Sequence, residues 1–259
     1  MKKFFSILLI VVGILVVTTT VVGFVVAQKI KSGEFSLPSF LSMFNNSASI
    51  DLGITYTEEE VLEVHEKMQS SAKVVTDESP ECRRYECIPG NAIYVGGQRI
   101  EVELTNSVAT GLINEWIQLS PNAPFTSAQM RVNNDGSVDF AGIVDMKQVQ
   151  NYAKASKIPQ ATLDMATKYV GALGETFPVR ASGTLTIKNN AVDANFTKFQ
   201  VGIIAIPSSM LSTYKGEVDS FVEERLAVVQ KSFSIEELSF ADGKTIYKGT
   251  VPKEVLFVK

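Results

Sequence analysis

The sequence predicts an α+β protein in which a single N-terminal transmembrane helix precedes an exported domain of long helices packed on a curved antiparallel sheet. Three observations lead there. The uncharged run "FFSILLIVVGILVVTTTVVGFVVA", Phe4 to Ala27, is about 36 Å long as a helix, more than the ~30 Å hydrocarbon layer of a membrane. Three pairs of alternating apolar stretches are each joined by a turn rich in Asn, Asp or Gly, as antiparallel hairpins are. Between the hairpins, apolar residues recur at helical spacing. With 259 residues, 45% of them hydrophobic and 20% charged, the chain can build a sizeable core.

Residues 1–31 form the expected anchor and its flanks. Lys2, Lys3 and the segment Val25-Val26-Ala27 also fit a cleaved secretory signal. Signal cores run to about 7–15 residues, however, so the length favours an uncleaved signal-anchor. The expected topology is single-pass in the cell membrane, with the C-terminal domain on the extracytoplasmic side. Cys82 and Cys87 agree with export: they are the only cysteines, and an even pair in an exported chain is most simply a disulfide. Two thiolates without a nearby His make only half of a tetrahedral set, so no metal is expected. Beyond Lys31 lie all 28 acidic residues but only 20 of the 24 basic ones, a formal charge of −8 that disfavours a nucleic-acid partner.

Residues 32–56 read as a tether, with Ser, Asn and Gly interrupting short apolar pieces. Residues 57–99 hold a helix and the cysteine loop: Thr57 and Glu60 fit a capping box, and Val61, Leu62, His65 and Met68 give a short amphipathic face. The main domain follows over residues 100–259. Ile100, Val102 and Leu104 alternate as in a strand, then Val108, Ala109, Leu112, Ile113 and Trp116 recur as on a helix. The first hairpin turns at Asn133-Asn134-Asp135-Gly136. The second, Val179 to Pro207, shifts phase near Thr197, and the third, turning at Asp242-Gly243, slips between Ile235 and Leu238; both slips predict β-bulges that bend a long sheet. Two short helices flank Pro159, and Ser208 to Lys231 reads as the strongest helix, with Leu211, Tyr214, Val218, Phe221, Val222 and Leu226 as its stripe.

Chemistry is sparse. The single His65 sits on an amphipathic face, and there is no G-x-S-x-G, P-loop or G-x-G-x-x-G. The paired carboxylates Glu223-Glu224 and Glu236-Glu237 read as solvated faces or helix-end charges. No catalytic residue and no cofactor are expected.

The succession "VELTNSVATGLINEW", "MRVNNDGSVDFAGIV", "VRASGTLTIKNNAVDANFTKFQVGIIAIPSSML" and "LSFADGKTIYKGTV" resembles the membrane-anchored, extracytoplasmic lipid-binding proteins of bacterial envelopes, the LmeA-like families and their TULIP-like relatives. The likeness covers roughly Ile100 to Val251. It implies a TULIP-like helix on a curved sheet, with acyl chains held in the seam. By position it makes Leu112, Ile113, Trp116, Val201, Ile203, Met210, Tyr214 and Val218 candidates to line that seam. The function it implies is non-catalytic binding of lipid or another apolar small molecule, beside a membrane reached through Phe4 to Ala27. The competing expectation is a structural or protein-interaction module of the cell envelope without a ligand cavity. An apolar void beside Trp116 would favour the first and a closed core the second.

Overall fold

The computed structural model describes residues 51–76, 78–85, 87, 92–155, 175–202, 204–205, 208–213, 215–216, 219–220, 223 and 232–259. The expected transmembrane helix over Phe4 to Ala27 lies outside them. No helix among the described residues is long and apolar enough to cross a membrane. The membrane and signal-anchor assignments therefore have no support in the fold.

The chain enters through helix α1 (Glu58–Met68), whose predicted capping box is present: Glu60 N donates to Thr57 Oγ1 at 3.3 Å and Thr57 N to Glu60 Oε2 at 3.1 Å. Helix α1 ends where Gln69 turns left-handed, at φ 44°. Strand β1 (Ser71–Val75), a 3-10 turn (Pro80–Arg83), β2 (Ala92–Val95) and β3 (Gln98–Thr105) follow. Thr105 closes β3 and caps helix α2 (Asn106–Leu119) by accepting from Val108 N, so strand passes into helix with no intervening loop.

Next come the hairpin β4 (Phe125–Val132) and β5 (Val138–Asp145), helix α3 (Met146–Ala155), and the long hairpin β6 (Thr176–Lys188) and β7 (Ala191–Val201). Strand β8 (Ile204–Ala205), helix α4 (Ser208–Thr213), the hairpin β9 (Ser234–Ala241) and β10 (Lys244–Val251), and strand β11 (Glu254–Val258) complete the order. All three predicted hairpins form. Left-handed residues make the tight turns of the second and third, Asn189 and Asn190 in one and Asp242 with Gly243 in the other.

Both expected bulges are present. Gly183 pairs with Phe196 while Ser182 pairs with Lys198, which leaves Thr197 as the extra residue. Glu236 is the extra residue where Lys248 faces Glu237 and Gly249 faces Ile235.

The predicted α+β balance with long helices is corrected: among the described residues strand outweighs helix, 49% to 27%. The described helices run from six to 14 residues, whereas β6 alone has 13. Of the helix expected over Ser208 to Lys231, the described continuous element is Ser208–Thr213, and most of the rest lies outside the described residues. Apolar periodicity had suggested helices that dominate. Instead, backbone pairing between long bent strands organises the molecule.

The large sheet runs β3-β10-β9-β6-β5-β4. Strand β6 gives one edge to β7 and divides the other, pairing Thr176–Gly183 with β5 and its last two residues with β9. The sheet thus forks at β6 and curls, and α2, leaving β3 and packing along β4, bridges its two ends. The apolar side of α2 fills the space between, joined by Phe125, Phe140, Phe177, Val179 and Val201.

A second sheet, β1-β11-β2, has β11 at its centre, parallel to β1 and antiparallel to β2. Val255 and Phe257 of β11 face the main core, and Leu256 and Val258 face the cysteine loop with Val75, Tyr85 and Ile93. Cys82 and Cys87 are disulfide-bonded, as the sequence suggested, with Cα atoms 5.2 Å apart. A loop this small limits the gain in chain entropy. Replacing both cysteines by serine is expected to lower stability by about 2 kcal/mol in a denaturant titration, without unfolding the domain.

Candidate functional site

Helix α2 carries half of the seam that the sequence suggested. Its apolar side chains are packed: Leu112 and Ile113 are each 1% exposed and Trp116 3%, and Val201 facing them is 1% exposed. Side chains lining a void wide enough for hydrocarbon keep accessible surface toward it, and these keep almost none. Ile203, Tyr214 and Val218 lie outside the described residues, and of Met210 only its place in α4 is described.

What sequence reasoning missed is the polar side of the same helix. Asn106, Thr110 and Asn114 stand four residues apart on α2 and meet alternate residues of edge strand β4. Asn106 Oδ1 accepts from Val132 N at 2.7 Å while its amide donates to Val132 O at 3.2 Å. Thr110 Oγ1 accepts from Met130 N at 3.0 Å and donates to Met130 O at 3.3 Å. Asn114 accepts from Ala128 N at 3.1 Å and donates to Ala128 O at 2.6 Å. Each side chain does what a neighbouring strand residue would do. Four helical residues rise about 6 Å and two strand residues about 6.8 Å, so the spacings nearly match.

The outer edge of β7, the strand that branches from β6, is treated in the same way with charge. Asp219 Oδ1 accepts from Ala194 N at 3.2 Å and Glu223 Oε1 from Val192 N at 3.0 Å, both outward N–H groups of β7. Lys215 bonds Asp219 at 2.6 Å and Asp193 at 2.8 Å. Partial burial works against the lysine's charge, but those two carboxylates outweigh it and hold its pKa above the ordinary value.

Helix α1 lies on the outer side of α2. Gly111 permits the approach, because a Cβ there would fall 2.5 Å from Val61 Cγ2 and 2.9 Å from Tyr56 Cδ2. His65 Nε2 lies 2.7 Å from Glu115 Oε2 across the same junction. The lone histidine is thus engaged in joining two helices. Beside it, Tyr56 separates two open clefts. One, of about 210 Å³, is lined by Glu58, Leu62 and Glu115; the other, of about 330 Å³, by Asp51, Asn114 and Gln129. The first lining is mixed, with Tyr56 and Val61 beside its carboxylates, and the second is mainly polar; both clefts are open to solvent, which suits water better than acyl chains. The Gln129 amide is itself occupied, accepting from Leu52 N at 2.5 Å and donating to Ile54 O at 3.2 Å.

Among the described residues no group of His, Cys, Asp and Glu is arranged to hold a metal ion. Among the described residues Tyr247 is strongly perturbed. Its hydroxyl donates within reach of Ser234 O (2.8 Å) and Thr250 O (3.0 Å), and burial pushes its pKa far up, which keeps it a neutral structural donor.

No protein-family model, curated protein or solved structure matches the chain.

Proposed function

We propose that the chain is a non-catalytic structural and protein-interaction module, a closed, curled sheet that presents its surface to a polypeptide rather than a cavity to an apolar ligand. The observation that supports this reading is the packing of α2: Leu112, Ile113 and Trp116 keep 3% or less of their surface. They serve as core, and burial at about 25 cal/mol per Å² stabilises the fold itself. The polar residues of α2 bond strand β4 and His65 bonds Glu115, so these groups work as scaffold.

Native mass spectrometry of the full chain tests the reading, together with its melting temperature in excess oleate. The expected result is the mass of the bare chain and a midpoint unmoved by the fatty acid. A ligand at 100 times its Kd adds about 2.7 kcal/mol, which for a chain of this size raises the midpoint by several degrees. Co-purifying lipid together with such a rise would return the seam to ligand binding.

A further inference from the structure

The large sheet's edges at β4 and β7 are tied off by the side chains of Asn106, Thr110, Asn114, Asp219 and Glu223, whereas β1 in the small sheet is treated differently. Among the described residues it pairs with β11 alone. Ser71 N donates to Lys253 O at 3.1 Å and Val75 O accepts from Lys259 N at 2.9 Å, so Ser71, Lys73 and Val75 turn their backbone groups toward β11. Ala72 and Val74 turn theirs the other way. No bond to those groups is made by any described residue.

Sheets ordinarily protect such an edge with proline, a bulge or a projecting charge. Strand β1 has no proline, and its register with β11 is unbroken. Its single charge, Lys73, lies on the face away from Ala72 and Val74 and is held back by Glu81 at 2.7 Å and Glu254 at 3.1 Å. Val74 is 37% exposed.

We infer that β1 is a docking edge, to which an extended segment of a partner protein adds as a further strand carrying basic residues alternating with small apolar ones. The inference rests on the reading of the chain as an interaction module and names the partner's chemistry. Backbone bonds to Ala72 and Val74 supply affinity, and alternate side chains supply selectivity. The partner residue opposite Lys73 shares its face with Lys73, Glu81 and Glu254, a group with one negative charge in excess, so a basic residue fits there. Apolar neighbours fall over Ala72 and Val74. A second copy of this chain fits less well, because the register that aligns Ala72 with Val74 about a two-fold axis sets Lys73 against its own counterpart.

The test titrates the full chain with the fluorescent peptide acetyl-Gly-Val-Lys-Val-Lys-Val-Gly-amide, and follows hydrogen exchange over Ser71–Val75. Saturable binding is expected, with slowed exchange at Ala72 and Val74. Val74→Pro removes one outward N–H without touching the bonds to β11, and is expected to weaken binding at least about tenfold. The same peptide N-methylated on its bonding edge does so from the other side, whether or not the proline variant folds. Exchanging lysine for glutamate in the peptide should also weaken it. Undiminished binding to Val74→Pro or by the N-methylated peptide, or no binding at millimolar peptide, would overturn the inference. So would a dimer in sedimentation with Ala72 and Val74 protected in the absence of peptide, which assigns the edge to a second copy. Failure of the interaction reading itself would show separately, as lipid in the native mass spectrum.

Discussion

Gly249→Ala is expected to destabilise the chain by about 4 kcal/mol, combining backbone strain and overpacking, each about 1–3 kcal/mol. Gly249 has φ 155°, a region that L side chains rarely adopt. A Cβ there would fall 2.2 Å from Ser234 O and 2.8 Å from the Tyr247 hydroxyl. The first of these is backbone and cannot rotate away. Gly249 lies opposite the bulge at Glu236, where the buried Tyr247 hydroxyl reaches over to Ser234 O, so the added methyl group attacks the bend in β9 and the bond that holds it. Thermal denaturation should show a midpoint lower by about 10 °C. A loss under about 1 kcal/mol would mean that the bulge relaxes freely.

The second large effect belongs to Thr110→Val. The substitution keeps the shape of the side chain and removes the hydroxyl that serves both Met130 N and Met130 O. Thr110 is 1% exposed, so water cannot take its place. Two orphaned backbone groups cost about 1–3 kcal/mol each, and a total loss of about 3 kcal/mol is expected. The variant separates two roles for α2. If the helix acts only through its apolar side, Thr110→Val should be nearly neutral in a denaturant titration. Adding Asn114→Ala opens more of β4 and should produce self-association at high protein concentration, visible in sedimentation, because an unprotected strand edge pairs with another chain.

Local structure is the most legible part of the sequence. The capping box of Thr57 and Glu60, the three hairpin turns and the cysteine pair depend on residues close in sequence, and each is present. Even the bulges at Thr197 and Glu236 were legible, since an extra residue flips the apolar phase of a strand. The small sheet was not. Strand β1 pairs with β11, Ser71 with Glu254, and neither carries a turn that points to the other. The overestimate of helix has a related cause: periodicity tells which side of a helix is apolar but not how long the element runs. The polar ladder of α2 was visible only as Asn-x-x-x-Thr-x-x-x-Asn inside an apolar helix. That spacing carries no meaning until β4 is placed beside it.

The ladder between α2 and β4 behaves as a vernier scale. Each step along the helix falls short of the matching step along the strand by about 0.8 Å, so the two rulers agree at one graduation and drift apart on either side. Threonine, the shortest of the three side chains, stands at the middle mark, and the longer asparagines at the outer two, where reach must make up the offset. A fourth mark would be displaced beyond what a two-carbon arm can span. A helix can therefore seal about six residues of strand in this way, and a longer border would need a second helix or a true neighbouring strand.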